Sequence, residues 1–237
     1  MKKCTLILQF VMLFIFGAST TAFSGAYKIV RGDEYPVCQD FLANLKALGE
    51  PALVCDRKFH PRFKKFSLPK WQTLDPRQHQ QLILQIWQKQ FQDVLYEGQS
   101  VFEKRKKDID DILRSRVIDL AITRLTINEK PTTVLRFIDK SYEHLACDWI
   151  QSIGREYYAL NEDNSQIDFE TTEHSLLSGL SSLGNNHRAD LFLYNGEPYT
   201  AFFSGDVPRG EKGALFLKGD LDFCEFEFNA NKKERAK

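Results

Sequence analysis

The densest run of chemistry-bearing side chains in the sequence is CDRKFHPRFKKFSLPKW, residues 55–71. Arg57, Lys58, Arg62, Lys64, Lys65 and Lys70 alternate there with Phe59, Phe63, Phe66 and Trp71. Cations interleaved with rings can hold an anionic polymer, a lipid headgroup or an acidic protein, through charge and ring contacts together. The i, i+4, i+7 spacing of Phe59, Phe63 and Phe66 also fits one buried helical face, with the cations as a solvated rim whose stems lie on the core. Packing is therefore expected for the rings. The candidate contact surface is Arg57, Lys58, Arg62, Lys64 and Lys65, with Trp71.

The other polar clusters fall short of a complete constellation. Asp108-Ile-Asp110-Asp111 suggests calcium, but Ile112 and Leu113 stand where a calcium loop needs an oxygen ligand and a glycine. Helix N-terminal or surface carboxylates are the expectation there. Gly179-Leu-Ser181-Ser182-Leu-Gly184 is G-x-S-x-x-G, one residue longer than a nucleophile elbow; His174, His187 and Asp190 are the partners a hydrolase would draw on. Glu225 and Glu227 lie two apart on a strand-like segment and so share a face. The sequence carries no P-loop, no dinucleotide fingerprint and no HExxH, and no cofactor or metal is expected.

Five cysteines are present. Cys4 falls inside an N-terminal leader, leaving Cys38, Cys55, Cys147 and Cys224, an even number that allows three pairings. Cys38–Cys55 and Cys147–Cys224 are the expected disulfides. The first closes a short loop, worth about 3 kcal/mol on the chain-entropy model. The second would tie two strand-like segments of the C-terminal half. Cys55-x4-His60 is half a zinc site, and export oxidises thiols.

The leader itself has a recognisable order. Lys2 and Lys3 precede an apolar run from Cys4 to about Gly17, and small residues follow at positions 18–22. This is the layout of a secretory signal peptide; the run is short for a membrane span, which takes roughly 20 residues. Residues 1–22 are read as the signal peptide, with cleavage after Ala22 or as late as Ala26. Without Lys2 and Lys3 the balance is 30 basic against 32 acidic side chains, which argues against a nucleic-acid binder. The expectation is a periplasmic or secreted protein with no transmembrane segment in its mature chain.

The elements that would position these groups follow from periodicity. Residues 35–49 read as a helix, with Val37, Phe41, Leu42, Leu45 and Leu48 at helical spacing, Pro36 in the first turn and Gly49 past the end. Residues 79–95 read as a second helix and 101–114 as a third. From Val117 the pattern alternates: 117–127 pairs with 133–138, EHLACDWIQSI is a third strand, and DLFLY, PYTAFF, GALFLKG and LDFCEFEF follow. Asn195-Gly196 between two of them marks a type I′ hairpin turn. Helices first and strands after imply α+β, an N-terminal helical layer on a mostly antiparallel, disulfide-stapled C-terminal sheet. The mature chain is read as one domain, residues 27–230, helical to about 116, with a flexible tail at 231–237.

One resemblance bears on compartment. Cys38-x2-Phe41-x3-Leu45, Cys55-Asp56-Arg57, Pro61 and Phe66-x2-Pro69-x-Trp71 together resemble the N-terminal pattern of a group of exported proteobacterial proteins with no assigned activity. The resemblance covers the first third of the mature chain and implies export; it transfers no catalytic residue. The expected role is a soluble binding or accessory protein of the cell envelope, whose partner is an anionic envelope component or another exported protein. An envelope-directed hydrolase and an inhibitor or immunity-type protein are the alternatives.

Overall fold

Strands that carry bulky residues on both faces need cover on both sides. The eight residues around the Asn195-Gly196 turn already show this: Phe192 and Tyr194 point one way, Leu191 and Leu193 the other. The computed structural model describes residues 26–48, 59–92, 98–140, 154–177, 189–204 and 212–229. Along them run β1 (Ala26–Arg31), α1 (Pro36–Leu48), β2 (Phe66–Ser67), β3 (Gln72–Leu74), a 3-10 turn (Pro76–His79) and α2 (Gln80–Gln92). There follow α3 (Gly98–Lys107), α4 (Ile109–Arg114), β4 (Ile118–Ile127), β5 (Lys130–Asp139), β6 (Gly154–Leu160), β7 (Ile167–Asp168) and α5 (Phe169–Glu173). The last four strands are β8 (Ala189–Tyr194), β9 (Glu197–Ser204), β10 (Lys212–Lys218) and β11 (Phe223–Asn229).

Among the described residues the strands form two antiparallel sheets, one in the order β1-β11-β10-β9-β8-β2 and one in the order β3-β4-β5-β6-β7. The α+β class holds, but the single sheet of the sequence reading is two, and helices cover both outer faces. On the six-stranded sheet, α1 buries Val37, Phe41 and Leu45 against Phe192, Leu215, Leu217 and Phe226. On the five-stranded sheet, Leu82, Ile83, Ile86 and Trp87 of α2, with Phe102, Ile109 and Leu113, cover Ile118, Leu120, Leu135, Phe137 and Tyr158. A third cluster, with Leu125, Ile127, Val134, Tyr157, Ala159 and Leu191, fills the space between the sheets. The layers therefore run helix, sheet, sheet, helices. Three strands lie before residue 116 and α5 lies after it, so helix and sheet are not divided at that point.

The hairpins follow local chemistry. Asn195 (φ 53°) and Gly196 (φ 92°) both take the left-handed backbone that a type I′ turn requires, joining Tyr194 to Glu197. Asn128 (φ 49°) and Glu129 (φ 64°) make the same kind of turn between β4 and β5. The predicted helix over 101–114 is broken at Asp108 into α3 and α4. Among the described residues no helix is long and apolar enough to cross a membrane.

The disulfide pairing differs from expectation. Cys38, in the first turn of α1, is bonded to Cys224 of β11, with Cα atoms 5.7 Å apart. This replaces both expected pairs, Cys38–Cys55 and Cys147–Cys224; Cys55 and Cys147 lie outside the described residues. The reason is a non-local strand pairing. β1 runs antiparallel to β11 as an outer strand of the six-stranded sheet, bringing Arg31 opposite Glu225. Gly32 (φ 86°) then turns the chain so tightly that a Cβ there would meet Phe223 O at 2.3 Å. The first turn of α1 thereby drops onto β11, with both sulfurs fully buried.

Candidate functional site

The segment rich in cations and rings crosses from one sheet to the other. Phe66 and Ser67 pair with Tyr194 and Leu193 at the rim of the six-stranded sheet; Gln72 to Leu74 pair with β4 at the rim of the five-stranded sheet. The rings are anchors. Phe66 is buried and stacks on Phe59 with centroids 4.7 Å apart, and Phe41 meets Phe66 edge-on at 6.0 Å. Phe59 and Phe63 are partly buried against the same cluster. The packing expected from their spacing is thus observed, although residues 59–65 form turns rather than a helix. Backbone bonds hold the segment in place: His60 N donates to Asn44 Oδ1 (2.8 Å), Phe63 N to His60 O (2.9 Å), and Asn195 N to Lys65 O (2.9 Å).

The predicted contact residues separate into three groups. Lys65 is engaged: its ammonium donates to Asp40 Oδ2 (2.8 Å), and the Tyr194 hydroxyl donates to the same oxygen (2.6 Å). Burial pushes the Asp40 carboxyl up, but the bonds from Lys65 and Tyr194 outweigh it and hold Asp40 below its ordinary range. The hydrogen bond to Asp40 raises Lys65 correspondingly. Trp71 faces elsewhere: it stacks on Tyr157 (5.8 Å) under the Arg136 guanidinium (4.7 Å), at the margin of the core between the sheets. Arg62, Lys64 and Lys70 are exposed and make no ion pair among the described residues; the Arg62 guanidinium lies over the Phe63 ring at 4.6 Å. Leu68, between them, is 57% exposed. Arg57 and Lys58 lie outside the described residues.

The remaining sequence candidates resolve into structural roles or fall outside the described residues. Asp110 accepts from Gln80 Nε2 (3.3 Å) and Asp111 pairs with Arg114, both in the first turn of α4. Glu227 pairs with Lys28 across β1 and β11 at 3.0 Å. His174 is exposed, its Nδ1 2.9 Å from Glu170 O, while Ser181 and His187 lie outside the described residues.

A second polar cluster went unnoticed in the sequence. Glu156 of β6 sits on the face that β6 turns to the helices, beside Tyr158 and Leu160. Gln90 of α2 donates its amide to both carboxylate oxygens (2.9 and 2.8 Å), and the Tyr158 hydroxyl donates to Oε2. The residue keeps some accessible surface, but its carboxyl is enclosed by protein. Burial raises it to about 7 against the pull of Tyr158 and Gln90, and the nearby Asp139 charge adds to the rise. Burial likewise pushes the Tyr158 phenol well up. Asp139 itself is buried and pairs with Arg105 of α3 at 2.9 Å; the Arg105 guanidinium lies 5.1 Å over Trp87. This arrangement can store and release one proton near neutrality. Its signal in the sequence is an acid at a core-facing position of an alternating strand, and Gln90 in register with Ile83 and Ile86 on the buried stripe of α2.

No family model matches the chain, and neither the curated proteins nor the solved structures give a match.

Proposed function

We propose that the chain is an exported binding protein of the cell envelope that presents a fixed cationic surface to an anionic partner. One observation carries the reading. Residues 59–74 contain no acidic side chain, Phe66 is buried with Phe59 and Phe63 packed partly buried on the same cluster, and Arg62, Lys64 and Lys70 stand exposed on a backbone held by packing and hydrogen bonds. A surface ordered before its partner arrives loses less entropy on binding. Export is supported by the leader and by a fully buried disulfide, which persists in oxidising compartments. Cleavage after Ala22 leaves β1 whole, whereas cleavage after Ala26 removes its first residue.

The test is a triple charge reversal, Arg62→Glu, Lys64→Glu and Lys70→Glu, with circular dichroism as the check on folding. Lys65 is left alone because its loss would release Asp40 and Tyr194. Retention on envelope fractions should fall sharply and should weaken with salt in the wild type. Equal retention of the folded variant would rule the surface out. A hydrolase is the second reading, favoured by one feature, the Glu156 carboxyl that Gln90 and Tyr158 hold by hydrogen bonds and that burial raises to about 7. Activity on an envelope substrate that Glu156→Gln abolishes in a folded protein would move the reading there.

A further inference from the structure

The stretch that carries the cations is also an edge. β2 ends the order of one sheet and β3 ends the order of the other, and no turn or bend interrupts the chain between them. Residues 66–74 therefore form one strap along the rims of both sheets, at most about 25 Å long at the rise of an extended chain. Among the described residues each half has a strand on one side only. Asn195 N donates to Lys65 O, so in the antiparallel register the Phe66 backbone points away from β8. Phe66 N is taken up by Phe63 O (3.1 Å), and beyond the sheet ladders no bond to the backbone of residues 67–74 is made among the described residues. Ser67, Leu68, Lys70, Gln72 and Thr73 are all exposed along it.

Resting on the reading above, we infer that the strap is a docking edge for an extended acidic segment of a partner protein, which adds to it as a further strand. The open edge supplies main-chain donors and acceptors, as in other cases of strand addition. Arg62, Lys64 and Lys70 supply charge of one sign, with Lys65 already neutralised by Asp40. Leu68 offers an exposed apolar contact that an alternating acidic and apolar segment would cover. A lipid surface or a polyanionic glycan would use the charges but not the backbone edge.

The full chain is titrated against a fluorescent nine-residue peptide of alternating Glu and Val. Two further peptides are N-methylated, one on every Glu and one on every Val, and phosphatidylglycerol vesicles provide the lipid arm. Expected are salt-sensitive binding of the parent peptide, at least about a tenfold loss in one of the two methylated peptides, and a similar loss with the triple charge reversal. Equal binding of all three peptides overturns strand addition. Failure of the parent peptide alongside charge-sensitive vesicle binding also overturns it, while leaving the cationic surface standing. If neither probe binds and the reversal leaves envelope retention unchanged, both the strap and the broader reading fall.

Discussion

Replacing Glu156 with Gln separates the proton from the shape of the buried cluster. The amide keeps an oxygen that can accept from Tyr158 and Gln90, but it cannot ionise. In the wild type the native carboxyl titrates at about 7, against an ordinary 4.5 in the unfolded chain. Between those values the unfolded state has lost a proton that the native state retains, so stability falls as pH rises. Below about 4.5 the contribution is fully present; above about 7 both states are ionised and the loss is complete. At about 1.4 kcal/mol per pH unit the gap amounts to about 3 kcal/mol. Urea unfolding followed by tryptophan fluorescence, at steps from pH 4 to pH 8, measures it. The difference between Glu156→Gln and wild type cancels the other carboxylates. The variant should gain about 3 kcal/mol on the wild type across that range, most of it between pH 5 and 7. Two unfolding curves that stay parallel throughout, within about 0.5 kcal/mol, would refute the claim that desolvation dominates here.

Three other outcomes follow from the fold. Peptide mapping without reduction should recover Cys38 joined to Cys224, and replacing both by Ala should destabilise the protein by up to about 5 kcal/mol on the chain-entropy model for so long a loop. Gly32→Ala places a side chain on left-handed backbone and against Phe223 O, so a loss of about 2 kcal/mol or more is expected in thermal unfolding. Tyr199→Phe removes the hydroxyl that donates to Asp222 Oδ2 at 2.6 Å; a loss of about 1–2 kcal/mol in urea unfolding is expected.

What could be read in the sequence was what local chemistry decides. The α1 and α2 stripes and the Asn195-Gly196 hairpin depend on residues within one or two turns of each other, and the structure places them as the pattern requires. β1, β2 and β3 were missed because each is fixed by a distant partner: Ala26 by Asn229, Phe66 by Tyr194, Gln72 by Ile122; the third strand expected at residues 143–153 lies outside the described residues, and the strand that pairs with β5 is Gly154–Leu160. The disulfide followed the same rule. Cys38 and Cys55 are near in sequence, yet β1 against β11 brings Cys38 to a residue 186 positions away. In the basic stretch, composition marked the cations but not their fates. Asp40 and Tyr194, which engage Lys65, arrive from α1 and β8.

An open edge nine residues long invites pairing with a second copy, and the residues on this one oppose that outcome. Pro69 cannot donate to a ladder, so any added strand, from a copy or from a partner, pairs with the edge on either side of it. Two straps laid together would bring Lys64 and Lys70 of one copy near the same cations of the other, and like charges across a strand pair are destabilising. The opposite sign relieves that repulsion. The charges that keep the strap from closing on itself therefore select, by the same energy, a partner strand that is acidic, and this is why the edge and the cations belong to one site.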